Sequence, residues 1–333
     1  METRLINKII QLYDRYNLQN GNWISQIENN RGIINNLVSE VLLNEKLFWL
    51  KYYYIDSDII SAKTSMYHYG IGLQRKTHEV HMWCYPGAEI AQILLSDSED
   101  LVKLFKDWTF DDYYQKGKIT GPTLFIYHYL NENMGMCKKL IDEFHEYDID
   151  KNTASLADLT YMKGICNKDI DQIREGIETL LQPKVHHQRY HLYRPYPADI
   201  ISYCAAAYTK FAWMMRHEIE IDHDLVPMEL MPIEPLDRYE VKYFFLDGYE
   251  GEIPQSYLDW KKAQADPEPG PAAVQVDFIW DQNLYKTQQE AIVIEQAIEK
   301  GYLPEQDNQG NWVVYKEDQQ GNRKIIAEYG TFT

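Results

Sequence analysis

The sequence predicts a mainly helical fold, built as an array or bundle of antiparallel helical pairs, on three observations. Over most of the first 216 residues, apolar side chains recur at spacings of three and four, which places them on one face of an α-helix. Gly and Pro residues divide this part of the chain into runs of helical length. Near the C-terminus, two short β-prone runs flank Gln319-Gln320-Gly321-Asn322 and predict a small β-hairpin.

The N-terminal helices are predicted from their apolar stripes. The first helix is expected to end near Asn20-Gly21, and its stripe consists of Leu5, Ile9, Leu12 and Tyr16. Residues 59–83 form either one long helix or two helices, with Gly70 and Gly72 as the breaks. The polar run Ser96-Asp97-Ser98-Glu99 is expected to cap a new helix.

Two further predictions concern the middle of the chain. The histidine-rich segment from His186 to His191 is expected to be an interhelical loop with aromatic and imidazole packing. A metal or acid–base site is the less favoured alternative, because Arg189 and Arg194 oppose a bound cation. Pro195-Tyr196-Pro197 then begins the clearest helix, whose buried stripe consists of Ile200, Cys204, Ala207, Tyr208, Phe211, Met214 and Met215. Alanines at 205, 206 and 212 permit the close approach of a neighbouring helix.

The character of the chain changes after Met215. From Glu218 to Gly270, fourteen Asp or Glu stand against four Lys or Arg, and this stretch holds more than half of the net charge of −18. Its prolines oppose a continuous helix. We therefore predict a helical domain over residues 1–253, an acidic Pro-rich linker over 254–271 and a small α+β extension over 272–333.

Charge restricts the classes of partner. A net charge of −18 excludes a general nucleic-acid binder, because phosphate binding needs a basic surface. It also argues against docking on an anionic membrane. A basic protein partner would instead be attracted. With neither a signal-peptide pattern nor a long apolar run, the chain is expected to be cytoplasmic, with its four cysteines reduced.

The sequence offers little catalytic chemistry. It has no phosphate-binding loop, nucleophile elbow, dinucleotide fingerprint or HExxH motif. His78, His81 and Cys84 have spacings that could present zinc ligands on one helical face, but no second ligand cluster accompanies them. We therefore expect no enzyme, metal or cofactor. A metal-dependent hydrolase built on those three residues remains the least favoured alternative.

One part of the chain resembles a known family. Tyr161-Met162-Lys163-Gly164 opens a helix, an alanine-rich helix with Ala205-Ala206-Ala207 follows, and the stretch closes with Glu218-Ile219-Glu220-Ile221-Asp222-His223-Asp224-Leu225-Val226-Pro227. This order is similar to the end of the immunity protein 49 family of bacterial polymorphic-toxin systems. The resemblance covers about a quarter of the chain. It implies a cytoplasmic antidote that binds a cognate secreted toxin domain and occludes its active site.

The expected toxin partner is basic, and we place the contact surface on the acidic stretch after Met215. The candidate contact residues are Asp222, Asp224, Glu229, Tyr239 and Tyr249. Two alternatives stay open. A helical scaffold or adaptor with another protein partner would share this surface chemistry, and an aromatic-rich surface serves a homodimer as well as a foreign partner.

Overall fold

The computed structural model describes residues 3–32, 34–80, 88–107, 121–147, 153–190 and 199–265, together with the three stretches 303–306, 312–317 and 323–329. The chain divides into two compact units, Met1–Ala265 and Asp266–Thr333. The mainly helical class is confirmed, because the described part of the first unit contains twelve α-helices and no strand. Among the described residues, no helix combines the length and apolar character that crossing a membrane requires.

The first three helices form an antiparallel set: α1 (Thr3–Glu28), α2 (Ile34–Tyr54) and α3 (Ile59–Val80). Contacts along α1 and α2 run in opposite directions, since the Tyr13 ring lies 5.1 Å from that of Phe48 whereas Asn44 Nδ2 donates to Asn20 Oδ1 at 2.7 Å. Helices α2 and α3 are antiparallel too, since Glu45 on α2 contacts Ser65 on α3 whereas Leu42 contacts Gly72. These three helices therefore pack side by side in alternating directions.

The predicted end of the first helix is wrong, and the structure decides between the two alternatives for residues 59–80. Helix α1 continues through Asn20 and Gly21 to Glu28, because buried Asn20 is hydrogen-bonded to the carbonyl of Val41 on the neighbouring helix. Helix α3 is one helix and runs through Gly70 and Gly72. A Cβ atom at Gly72 would lie 2.5 Å from that of Leu42, so this glycine permits close helix packing rather than a break.

Six helices follow in the described part: α4 (Ala88–Leu95), α5 (Glu99–Lys106), α6 (Gly121–Leu130), α7 (Met134–Tyr147), α8 (Thr153–Asn167) and α9 (Ile170–Leu181). The predicted cap before α5 is confirmed, since the side chain of Ser98 accepts a hydrogen bond from the backbone N–H of Leu101. Helices α8 and α9 touch at Gly164 and Gly176, where no larger residue fits without displacement.

The histidine-rich segment is helical up to Tyr190, so the loop predicted from His186 is wrong there. Helix α10 (Pro183–Tyr190) begins with proline, whose fixed φ suits the first helical turn. Arg189 on this helix donates to the carbonyl of Ala154 and to the carboxylate of Asp158, which holds α10 against α8. Residues 191–198, including His191, lie outside the described part of the chain.

Helix α11 (Tyr203–Met214) is the centre of the first unit. Every residue from Tyr203 to Ala212 is buried, and the Tyr208 ring stacks on that of Tyr161 at 4.0 Å. The alanines predicted to allow close approach are all fully buried. The helix begins later than the predicted start at Pro195, with Ser202 at its N-cap position.

The first unit ends with helix α12 (Gln255–Ala265), which packs against α1. Tyr257 on this helix is buried in a second, smaller core cluster with Phe244, Phe245 and Leu246. Burial of an aromatic side chain favours a folded helix over a free linker. The helical unit therefore extends to Ala265, past the boundary predicted at residue 253, and the predicted linker starts too early.

In the second unit, the structure describes three short strands, β1 (Leu303–Gln306), β2 (Trp312–Glu317) and β3 (Arg323–Tyr329). They pair antiparallel in the order β1-β2-β3, with a register irregularity at Val314/Tyr315. The turn of the predicted hairpin, residues 319–322, lies outside the described residues, so the hairpin stays a prediction.

Candidate protein-interaction surface

Residues 218–252, here called the acidic segment, cross the helical body with only one short helical turn, Met228–Leu230. At its start, exposed and buried residues alternate. Glu218, Glu220 and Asp222 are exposed, whereas Ile219 and Ile221 are buried. This two-residue period is that of extended backbone with one face on a core. The isoleucines fix the segment to the body, and the carboxylates point outward.

The outward charge of the acidic segment is strongly negative. All of its carboxylates are exposed: Glu218, Glu220, Asp222, Asp224, Glu229, Glu234, Asp237, Glu240, Asp247, Glu250 and Glu252. Its two basic residues offset little of this charge. Arg238 pairs with Glu250 at 2.7 Å, and Lys242 lies half-buried over the Tyr52 ring.

The segment has a first attachment to the body through two buried lysines. Lys63 Nζ lies 2.7 Å from Asp97 Oδ2, and Lys210 Nζ lies 2.6 Å from Asp97 Oδ1. Lys210 also donates to three consecutive backbone carbonyls of the segment, those of residues 230–232, at 2.7–3.2 Å. Lys63 donates to the carbonyl of Glu234 at 2.6 Å. Ammonium groups of the body thus satisfy backbone that has no helical or sheet partner.

Burial and charge compete at Lys210. Burial lowers its pKa to about 8, although the neighbouring Asp97 acts in the opposite direction. Asp97 reaches both ammonium groups because its backbone adopts a positive φ of 59° between α4 and α5. Aspartate tolerates this left-handed conformation better than most residues. The backbone conformation of Asp97 therefore places its carboxylate between the two lysines, and the two ion pairs stabilise that conformation.

A second attachment lies further along the segment, at Tyr243. The Tyr243 hydroxyl donates to the buried carboxylate of Glu45, which also accepts from Ser65 Oγ. Burial, the negative charge of Glu45 and its hydrogen bond all raise the pKa of Tyr243, so its hydroxyl stays protonated. Phe244, Phe245 and Leu246 follow directly and enter the second core cluster.

Of the predicted contact residues, the three carboxylates are accessible. Asp222 and Asp224 are exposed in the described structure. Glu229 is also exposed and accepts a hydrogen bond at 3.0 Å from the Tyr53 hydroxyl. All three lie in the first part of the acidic segment, before its first attachment.

The two predicted tyrosines make internal contacts. Tyr239 donates to the carbonyl of Ser96 at 2.6 Å and stacks on Tyr67 with the ring centres 4.7 Å apart. Burial raises the pKa of Tyr239 to about 12. Tyr249 is half-buried and packs against the second core cluster. Their role in positioning the acidic segment was not evident from composition, because aromatic side chains serve cores and interfaces alike.

A groove of about 500 Å³ opens beside the first attachment. Its apolar lining consists of Leu94, Val102, Met214 and Ile233. Ile233 belongs to the acidic segment and is 48% exposed. The groove also has a charged lining that consists of Asp97, Glu99, Lys103, Lys106 and Asp107. Sequence reasoning missed this groove because α4, α5, α11 and the acidic segment meet only in the folded chain.

No metal site emerges in the described part of the chain, where no three His, Cys, Asp or Glu side chains are grouped for a cation. The side chain of His78 and the whole of His81 and Cys84 lie outside the described residues. The hypothesis of a zinc site on these three residues is therefore not tested by the structure.

The surface combines exposed negative charge with an apolar groove. Exposed carboxylates on firmly held backbone create a negative field that attracts and orients a cationic partner. An apolar groove adjoins them, and apolar patches with polar surroundings are typical of binding sites. Comparisons of the chain with protein-family models, with curated proteins and with solved structures find no match.

Proposed function

We propose that this protein is an antidote that binds a basic bacterial toxin domain in the cytoplasm and occludes its active site. The proposal is supported chiefly by the acidic segment, which carries eleven exposed carboxylates on a backbone that is attached to the helical body at two places. A preformed surface loses little conformational entropy on binding. Its charge also increases the rate of association with a cationic partner.

The mechanism of inhibition is competition. Toxin domains that act on nucleic acids need basic surfaces for their phosphate-rich substrates. An acidic protein that covers such a surface excludes the substrate without performing any chemistry. The inhibitor therefore needs no catalytic group, only complementarity and a slow dissociation.

The direct test is a pull-down of the tagged protein with the product of the adjacent open reading frame, together with a growth assay. We expect a one-to-one complex and rescue of cells that express this product. A complex without toxicity would favour a scaffold or adaptor. The absence of both complex and toxicity would reject the antidote function.

The position of the contact surface is tested by charge reversal. We expect Asp222→Lys, Asp224→Lys and Glu229→Lys together to slow association by about tenfold or more at low salt. The matched control reverses three exposed carboxylates of α9, Asp171, Glu175 and Glu178, and changes the net charge equally. Equal loss in both variants would show a net-charge effect and would reject this placement.

A further inference from the structure

Residues 239–243 of the acidic segment, here called the strap, cross helix α3 at Tyr67 and His68. The Tyr239 ring stacks on the Tyr67 ring with the centres 4.7 Å apart, and the Tyr243 ring lies 5.4 Å from the imidazole of His68. His68 is fully buried. The strap therefore forms part of the cover that keeps water from this imidazole.

The imidazole of His68 is buried under the strap without a hydrogen bond. Neither of its ring nitrogens has a hydrogen-bond partner within the described structure. Burial lowers the pKa of His68 to about 3, and the charge of Lys242 acts in the same direction, whereas the nearby backbone carbonyl of Glu240 opposes them. Lys242 and Glu240 both belong to the strap. The closed strap therefore keeps the imidazole neutral.

The strap is held by side chains rather than by backbone pairing. The Tyr239 hydroxyl donates to the carbonyl of Ser96 at 2.6 Å, and the Tyr243 hydroxyl donates to the carboxylate of Glu45. In the described structure, none of the five backbone N–H groups of the strap donates to a backbone carbonyl. A segment without backbone pairing opens at a lower cost in free energy than a helix. The strap can therefore lift while the helices stay folded.

We propose that acidification releases the strap, because His68 binds a proton far more readily when the strap no longer covers it. Once uncovered, the imidazole regains its ordinary pKa of about 6.5. Below that pH, each further unit favours the lifted form by about tenfold, until the closed form is protonated as well, at a pH of about 3. The first attachment, through Lys63, Lys210 and Asp97, does not involve His68 and keeps the first part of the acidic segment in place. The inference goes beyond the proposed function and does not depend on a toxin partner.

Glu45 is a second titratable group at the strap. Its carboxylate is buried on α2 and lies 4.0 Å from Lys242 Nζ. A proton on Glu45 would weaken its hydrogen bond with Tyr243, so release in acid does not by itself identify His68 as the sensor. The experiment must therefore separate the imidazole from the carboxylate.

The test measures how often the strap lifts in the full chain. A glutamate-specific protease that is active at about pH 5 and about pH 7 cleaves after Glu240, and mass spectrometry follows the fragments. A synthetic peptide of residues 236–247 gives the rate of the same cleavage without a fold. At low protease concentration, the ratio of the two rates follows the population of the lifted strap. We expect this ratio to rise by about 25-fold in the wild type between about pH 7 and about pH 5.

Three variants assign the pH dependence. His68→Leu removes the imidazole, and we expect its ratio to change by about threefold or less. Tyr243→Phe removes the hydroxyl that donates to Glu45. We expect it to speed cleavage by about tenfold at both pH values and to keep the full rise in acid, because His68 still titrates. His128→Leu is the matched control and should behave as the wild type, since His128 is also buried but packs on Tyr127 of α6.

Three results would reject release of the strap through His68. An equal rise in the wild type and in His68→Leu excludes the imidazole as the sensor. A rise that Tyr243→Phe abolishes assigns the sensor to Glu45 instead. Cleavage that is absent at both pH values, or that low concentrations of urea increase, excludes a local release, because lifting the strap exposes little surface. If His68→Leu does not fold, His68→Gln takes its place and the same results decide.

Discussion

At the scale of single residues, the position of Lys210 explains how the acidic segment is held. Lys210 stands in a helix that is apolar on all sides, so its ammonium group is forced into the core. A buried ammonium is tolerated only with charge and hydrogen-bond partners, and here Asp97 and three backbone carbonyls supply them. The apolar surroundings of Lys210 are visible in the sequence. Asp97 is not identifiable as its partner, because the capping pattern around Asp97 reports only local bonds.

Replacement of Lys210 by methionine tests this attachment. We expect Lys210→Met to lower the free energy of unfolding by about 3 kcal/mol, because three backbone carbonyls lose their donor and Asp97 loses one of its two ammonium partners. Lys8→Met is the matched control. Lys8 also forms a lysine–aspartate ion pair, with Asp199 at 2.7 Å, but both of these side chains are about 40% exposed. We expect the control to cost less than about 1 kcal/mol. Urea denaturation measures both, and equal costs would contradict a special role for Lys210.

His68 gives a prediction for pH. It is fully buried between the rings of Tyr67 and Tyr243, and burial, reinforced by the charge of Lys242, lowers its pKa to about 3 from 6.5. Below about pH 6.5 the unfolded chain therefore binds a proton that the folded chain does not, and stability falls as the pH decreases toward 3. At about pH 5 this loss amounts to about 2 kcal/mol.

The pH prediction is checked by comparing wild type with His68→Leu. Urea denaturation at about pH 7 and about pH 5 gives the change in the free energy of unfolding for each protein. We expect the change to be smaller by about 2 kcal/mol in the variant, which has no imidazole to titrate. An identical change in both proteins would show that His68 is protonated in the folded state or does not control the pH dependence.

At the scale of elements, the helical period predicted where helices lie but not where they end. The stripe of α1 was assigned correctly, yet the helix continues past Gly21 to Glu28. Gly70 and Gly72 were considered as breaks and prove to be contact points inside α3. A glycine in a helical pattern has two physical effects: it lowers the stability of the helix, and it lets a neighbouring helix pack closely. Tertiary contacts decide between them, and one sequence does not contain those contacts explicitly.

Alanine substitutions at two glycines distinguish the effect on helix stability from the effect on helix packing. In Gly176→Ala, the new Cβ would lie 2.8 Å from Tyr161 backbone and Cβ atoms, so we expect a loss of about 1–3 kcal/mol. In Gly21→Ala, nothing lies within 4 Å of the new Cβ, and we expect a gain of about 0.5–1 kcal/mol from helix propensity. Thermal unfolding followed by circular dichroism measures both. Changes of the same sign would contradict the assignment of Gly176 as a packing contact.

At the scale of the whole molecule, composition correctly predicted that the acidic segment is exposed and negatively charged. It did not predict how the segment is attached to the helices. The excess of Asp and Glu after Met215 correctly indicated an exposed acidic surface, because carboxylates without partners remain in water. The prolines correctly excluded a continuous helix. The contacts that hold the acidic segment could not be predicted from the sequence. They come from Lys63, Lys210 and Glu45, which lie on three different helices. The Tyr239 and Tyr249 side chains, which are predicted to contact a partner, also make internal contacts, and composition does not distinguish the two roles.

The extent of the first unit provides a test by truncation. The described members of its two core clusters lie between Leu5 and Trp260, so a chain that ends at Ala265 keeps all of these side chains. We expect this chain to unfold at the same urea concentration as the first unit of the full protein. A chain that ends at Pro254 lacks α12 and exposes the surface that Tyr257 and Trp260 cover, which should cost about 2–4 kcal/mol.

The comparison of the two truncations decides where the helical unit ends. Equal stability of both chains would mean that α12 adds nothing and that the linker begins near residue 254, as composition suggests. The burial of Tyr257 against Phe244 argues for the opposite result, because their rings lie 5.2 Å apart in an edge-to-face arrangement. Phe244 follows Tyr243 of the second attachment, so loss of α12 should also loosen the end of the acidic segment. Faster amide hydrogen exchange at residues 243–246 in the shorter chain would show this coupling.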